Sequence, residues 1–298
     1  MKKIPTTSVL GIDFACLDFA ETLRLLEREI TARKNLSTSR AETNFWGKTE
    51  KITHKTAFFV TTPNPEICLY ARHDENFRKL LNTTDLRTPD GTGILWASTY
   101  LAKPKRTKLG NKISKWTTLL WGFLYPPSLR KIIPARVTGS DLTLALASLA
   151  EKKGWRIFLL GASAGVAEKA GQALQKKFPK LKIAGTYAGS PRETEEKHIR
   201  TKIIHAQTDI LLVAYGAPAQ ELWLAKNLRF LAGVKCAIGV GGTLDFLAGN
   251  KSRAPKFLRQ IGLEWLWRLC IEPSRYQRIK RAVVDFPRVI EEEKNKIK

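Results

Sequence analysis

The chain has 298 residues, enough to bury a full core, and its 43% hydrophobic content and mean hydropathy of −0.22 suit a soluble globular protein rather than a fibrous or disordered one. Its 51 Lys and Arg against 27 Asp and Glu leave a net charge of +24, which calls for a polyanionic partner: nucleic acid, an anionic membrane surface or a phosphorylated substrate. Cys16, Cys68, Cys236 and Cys270 form no CxxC pair, and His54, His73, His198 and His205 lack metal-ligand spacing, so buried reduced thiols and no zinc site are expected.

The start, MKKIPTTSVLGIDFACLDFAETL, is basic like a signal peptide, but Asp13 and Asp18 interrupt the apolar part. No uninterrupted apolar stretch reaches the roughly 18 residues of a membrane span, so a cytoplasmic protein is expected. A short strand at Ser8–Ile12 precedes a helix carrying Leu17, Ala20, Leu23, Leu26 and Ile30 at helical spacing. Residues 35–55 are polar and aperiodic and read as a mobile loop. Thr56–Thr61 is a β-rich apolar strand, after which Asn64 can cap a helix with Pro65 at its first position.

Thr84–Trp96 holds Asp90, a Gly91-Thr92-Gly93 turn and an apolar helical run. Asp90 is either an Asp-Gly turn residue or N-cap, or a carboxylate placed at a strand-to-helix junction where ligands bind. From Asp90 to Asp141 no acidic residue intervenes, while nine Lys and Arg lie between Lys103 and Arg136 among Trp116, Trp121, Phe123 and Tyr125. This basic, aromatic segment, about 103–135, either lies in a membrane interface or packs on the domain with its lysines in water.

Ser140 or Asp141 would cap a helix running to about Lys153. A buried strand at 155–160 then meets Gly161–Gly165, a helix over 166–178 and a strand at 182–187, a plausible nucleotide-phosphate cradle without a full GxGxxG. A charged helix covers 192–207. Buried strands at 209–215 and 235–240 open into Gly216–Glu221 and Gly241–Asp245. This alternation predicts an α/β fold, a doubly wound, mostly parallel Rossmann-like sheet in a core of residues 1–250. Thr62, Asn64, Asp90, Gly161, Gln220 and Asp245 all fall at carboxyl ends of its strands, where such sheets bind ligands. Residues 251–298 read as a helical, arginine-rich C-terminal appendage, with Arg268, Arg275, Arg278 and Arg281 as a ladder suited to phosphate and Glu291–Lys298 as a frayed tail.

TPNPE at 62–66, DGTG at 90–93, RVTGSDL at 136–142, YGAPAQE at 215–221, GVGGTLDFLAG at 239–249 and RAP…GLEWLWRL…EPSRYQR at 253–278 occur in the order of the WecG/TagA/CpsF glycosyltransferases, and the chain resembles that family from about residue 8 to 288. The resemblance implies inverting transfer of an N-acetylmannosamine-type sugar, or its uronic acid, from a UDP donor to polyprenyl-diphosphate-linked N-acetylglucosamine, for cell-surface polysaccharide or teichoic acid synthesis. It implies no metal and no cofactor. Asp90 would be the general base, with Thr62, Asn64 and Gln220 positioning the sugars and the glycines beside Asp90 leaving room for one. Arg268, Arg275 and Arg278 would offset diphosphate charge, and Gly161, Gly239, Gly241, Gly242 and Asp245 would bind the UDP-sugar donor. The partners implied are donor, glycolipid acceptor and an anionic membrane surface at the inner face of the cell membrane, with no nucleic acid and room for a homo-oligomer.

Two other readings compete. Charge alone suggests a nucleic-acid-binding protein, which no helix-turn-helix, RRM-like or zinc motif supports. The Gly161–Gly165 turn suggests a nucleotide-dependent oxidoreductase, but no acidic residue ends the next strand to hold a ribose.

Overall fold

The structure, a computed structural model, describes residues 4–33, 39–43, 49–53, 57–255, 257–258 and 261–296. An antiparallel hairpin, β1 (Thr6–Val9) and β2 (Ile12–Ala15), leads to helix α1 (Phe19–Ala32). The single strand expected at Ser8–Ile12 is thus two, because Leu10 (φ 53°) and Gly11 (φ 74°) turn the chain back on itself. Asp18 and Glu21 form a reciprocal capping box that starts α1. Within the expected loop, β3 (Ser39–Thr43) and β4 (Thr49–Thr53) pair antiparallel, and the rest of 35–55 lies outside the described residues.

Six strands make the main sheet: β5 (Phe58–Thr61), β6 (Leu86–Arg87), β7 (Arg156–Gly161), β8 (Lys182–Tyr187), β9 (Ile210–Ala214) and β10 (Cys236–Gly239). Their spatial order is β6-β5-β10-β9-β7-β8, every pairing parallel. Period-two alternation sends successive residues to opposite faces. Ile157, Leu159, Ile210 and Leu212 pack with Leu26 and Ile30 of α1, with α6 (Gly139–Lys153) and with α7 (Val166–Lys177). Phe158, Leu160, Leu211 and Val213 pack with α8 (Glu193–His205) and α9 (Ala219–Asn227). The strands are therefore apolar on both sides, each buried Ile or Leu being worth about 1.5–3 kcal/mol of transfer free energy. Thr138, rather than Ser140 or Asp141, caps α6, accepting from the Asp141 amide at 3.1 Å.

A second core lies beyond the β6 edge. The β1–β2 hairpin, α2 (Pro65–His73), α3 (Glu75–Thr83) and α4 (Thr92–Leu101) bury Phe14, Phe77, Leu81, Ile94 and Tyr100 together with Phe286 and Ile290 from the far end of the chain. Segment 103–135 folds into one long helix, α5 (Lys108–Leu124), and a 3-10 turn at Pro126–Arg130. After α10 (Thr243–Leu247) come α11 (Glu264–Ile271), α12 (Tyr276–Lys280), a π-helical turn (Arg281–Asp285) and α13 (Phe286–Lys296).

The tail expected to fray is instead helical through Lys296 and fastened to the second core. Lys294 is 1% exposed and its ammonium reaches the carbonyls of Tyr100, Leu101 and Lys103, capping the end of α4. Asn295 accepts from Asn111 at 2.8 Å and Glu291 pairs with Lys115. Of the four thiols expected to be buried, Cys68 and Cys236 are, whereas Cys16 is half-buried and Cys270 exposed. Among the described residues no helix is long and apolar enough to cross a membrane.

Candidate active site

The site forms over the carboxyl ends of β6, β5, β10 and β9, the edge at which doubly wound sheets bind ligands. Beyond β5, Thr62 donates its hydroxyl to the Gly239 carbonyl at 3.3 Å, joining the two strand ends. Asn64 then caps α2, accepting from the Ile67 amide at 2.9 Å, with Pro65 in the first turn. Beyond β6, the chain is pinned by Asp90 N–H to Pro63 O at 3.1 Å and Val137 N–H to Pro89 O at 3.0 Å. Gly91 takes φ 111°, and α4 starts at Thr92 with no side-chain cap. A Cβ on Gly93 would sit 2.8 Å from Pro65 Cγ. That glycine lets the first turns of α2 and α4 touch.

Asp90 is only partly accessible, at the foot of this junction. Burial pushes its carboxyl up to about 6, against the opposing pull of the Arg136 and Arg268 guanidinium groups; Glu264 adds to the rise, and a main-chain hydrogen bond from Gly139 opposes it. Arg136 and Arg268 share Glu264, at 3.5 Å to Oε2 and through an ion pair to Oε1. A carboxyl that titrates near neutrality, beside two fixed cations, is suited to taking a proton during reaction.

Gln220 ties the neighbouring loops. It is 3% exposed, its Oε1 accepts from Gly216 N at 3.2 Å and Gly241 N at 3.0 Å, and its Nε2 donates to Glu221 Oε1 at 2.8 Å. Gly239 allows this: a Cβ there would lie 2.7 Å from Gln220 Nε2. Burial in turn pushes the Glu221 carboxyl up, against the hydrogen bond from Gln220.

An open cleft of about 1290 Å³ lies over these strand ends. Thr62, Asn64, Asp90, Gln220, Gly241, Gly242, Arg268, Arg275 and Arg278 all line it, although 216 positions separate the first from the last. Gly161, Gly239 and Asp245 do not. Gly161, at φ 101°, has Ala214 2.8 Å from where its Cβ would be, and holds β7 against β9. Asp245 lies within α10, its carbonyl accepting from Asn250 N at 3.0 Å. The arginines come with carboxylates: Arg268 with Glu264, Arg275 with Glu272, and Arg278 with Glu66, its Nε and Nη2 2.9–3.0 Å from the carboxylate oxygens. Arg268 also stacks over Phe246, 5.2 Å from the ring centroid.

Sequence reasoning passed over Arg136 and Glu264. Arg136 opens the RVTGSDL stretch and faces Asp90 only because Val137 is bonded to Pro89. Glu264 precedes Arg268 by one helical turn, a spacing visible in the sequence. Arg281 lines the cleft from the π-helical turn, together with Asp285. Among the described residues no group of three or more His, Cys, Asp or Glu side chains could hold a metal ion.

A parallel α/β fold with a cleft over its strand ends, walled by a helical arm of cations, is an architecture found among group-transfer enzymes. Its sequence matches the Glycosyl transferase WecG/TagA/CpsF family over residues 42–114 and 118–296; the chain belongs to that family and is a glycosyltransferase. It is 30% identical over 221 residues to the N-acetylglucosaminyldiphosphoundecaprenol N-acetyl-beta-D-mannosaminyltransferase of Bacillus spizizenii, covering 74% of each chain. The proteins of that name from Bacillus subtilis and Staphylococcus aureus are 30% identical over 245 residues and 28% over 290. Those matches cover 82% and 97% of this chain, and 84% and 94% of the relatives.

Proposed function

We propose that the enzyme transfers an N-acetylmannosamine-type sugar from a UDP donor to N-acetylglucosamine carried on a polyprenyl diphosphate, inverting the anomeric centre, with Asp90 as general base. The relatives' names supply the sugar and the acceptor. The observation that carries the base is the Asp90 carboxyl, raised to about 6 at the foot of the cleft. In the reaction, an acceptor hydroxyl oxygen bonds to the anomeric carbon from the face opposite the leaving group. The bond from that carbon to the β-phosphate oxygen breaks, its electron pair leaves with UDP, and the hydroxyl proton passes to an Asp90 carboxylate oxygen. Proton transfer of this kind is worth about 10²–10⁴-fold in rate.

Arg268, Arg275 and Arg278 offset the charge on the departing diphosphate, the work a metal does in other transferases, so the reaction needs neither metal nor cofactor. The loop at Gly241 and Gly242, held by Gln220, receives the donor, while Thr62 and Asn64 set the sugars over Asp90. Because the acceptor is a lipid, the enzyme works peripherally at the anionic inner face of the membrane, where clustered Lys and Arg favour binding.

The test is a screen of UDP-sugars against a short-chain polyprenyl-diphosphate N-acetylglucosamine, with and without EDTA. UDP-N-acetylmannosamine should give product at the same rate in both. No product with any UDP-sugar would overturn the donor assignment, and EDTA-sensitive turnover would overturn the role given to the arginines.

A further inference from the structure

α5 is an amphipathic helix mounted with its apolar face outward. Asn111, Ser114, Lys115, Thr118 and Gly122 form its buried face. Leu109 (69% exposed), Ile113, Trp116 (60%), Leu120 (60%) and Leu124 recur at helical spacing on the opposite face. Ordinary packing puts the apolar stripe against the core and the polar one in water. Here the inner face is fixed by polar contacts and close approach. Tyr100 donates its hydroxyl to the Asn111 carbonyl at 3.0 Å, Asn111 Nδ2 donates to Asn295 at 2.8 Å, Lys103 donates to Thr118 Oγ1 at 2.6 Å, and Lys115 pairs with Glu291. At Gly122 an added Cβ would meet Leu129 at 2.7 Å, so the helix has no room to roll its stripe inward.

We propose that this face of α5 is a membrane-seating surface, lying in the headgroup–acyl boundary of an anionic bilayer with Ile113, Trp116 and Leu120 in the apolar layer. Isolated exposed apolar residues are ordinary, but a contiguous helical face of them marks an interaction site. The charge around it selects the occupant. Lys108 and Lys112 on the helix, and Arg130 and Lys131 just after it, are exposed, and no Asp or Glu lies between residues 91 and 140. A second copy of the chain would bring these cations against their own duplicates, whereas anionic headgroups receive them while the lysine stems lie along the acyl boundary. Through Asn111, Lys115 and α13 the helix is joined to the π-helical turn whose Arg281 and Asp285 line the cleft. A seated α5 would thus hold the cleft at a fixed height above the surface. The seating deepens the peripheral-membrane reading, but vesicles free of acceptor test it without any sugar transfer.

The experiment measures flotation of the full chain with phosphatidylcholine vesicles, with and without phosphatidylglycerol, for wild type and for Ile113→Ser/Trp116→Ser/Leu120→Ser. Wild type should float with the anionic vesicles and stay behind with the neutral ones. The triple variant should lose at least about tenfold in anionic-vesicle binding, with unchanged circular dichroism and unchanged sedimentation as a free protein. A parallel variant, Lys108→Glu/Lys112→Glu, leaves the apolar face intact and should also weaken flotation. The proposal is overturned if wild type ignores anionic vesicles or if the triple variant floats as wild type does. It is equally overturned if wild type is a dimer that the triple substitution converts to monomer, which would make the face a contact between copies.

Discussion

Lys294, in the last helix, donates its ammonium to the Tyr100 carbonyl at 2.7 Å, so the far end of the chain closes the helix that begins beside Asp90. The same ammonium reaches Leu101 and Lys103, using all three of its donors on carbonyls at the end of α4. Replacing it with Met keeps the stem and removes every donor. Lys294→Met should destabilise the fold by about 2–4 kcal/mol, the cost of leaving buried carbonyls unmet, read as a lower urea midpoint. An unchanged midpoint would show that water satisfies the helix end.

Asp90→Asn should separate activity from stability. The folded carboxyl, at about 6, lies above its ordinary 3.8, so the fold favours the neutral form. The stability this group contributes is complete below 3.8 and is lost as pH rises through 6. At neutral pH the amide, never charged, escapes that loss and should raise stability by about 1–3 kcal/mol while abolishing transfer. Calorimetry at pH 7 and pH 4 checks the sign, because the gain should shrink at the lower pH. Near wild-type turnover would remove Asp90 as base.

The rate should follow the same titration. As a base, Asp90 works only when ionised, so kcat/KM for the free enzyme should fall with decreasing pH below about 6. Glu264 is one of the groups holding that value up, and it also occupies Arg136 and Arg268, which pull it down. Glu264→Gln should move the acid limb to lower pH. A limb that stays in place would mean that the titration seen in the rate is not that of Asp90.

Gly239→Ala should act through Gln220. The new Cβ, 2.7 Å from Gln220 Nε2, would push the amide off Gly216 and Gly241 and free the loop that carries Gly242. A stability loss of about 1–3 kcal/mol is expected from the overpacking. UDP binding by calorimetry should weaken with it, and unaltered binding would detach this loop from the donor.

Much of this was legible in the chain. The strand at Ile210–Ala214 is one apolar run, buried on both faces, and announces itself by composition. Asn64 before Pro65 predicts the start of α2, and Asp90 falls at a strand end because the alternation of strands and helices puts it there. The hairpin at 6–15 was not legible as two strands, since its turn uses Leu10 at positive φ, a conformation that Leu seldom adopts and no local pattern signals. EEEKNK at 291–296 looks like a solvated tail because charge usually means water. Glu291, Lys294 and Asn295 find their partners, Lys115, Tyr100 and Asn111, only after nearly two hundred residues of chain have folded between them.

The sequence by itself therefore determined the parallel sheet, the strand ends that carry the site and the amphipathic character of α5, all of which are periodicities of the chain. The tertiary structure alone decided that Arg136 and Glu264 set the charge around Asp90, that α13 locks α4, and that α5 turns its apolar face outward. A helical pattern has a direction only relative to whatever it packs against. Here Asn295, Glu291, Lys103 and Leu129 take the small polar face, and the aromatic one is left to the outside.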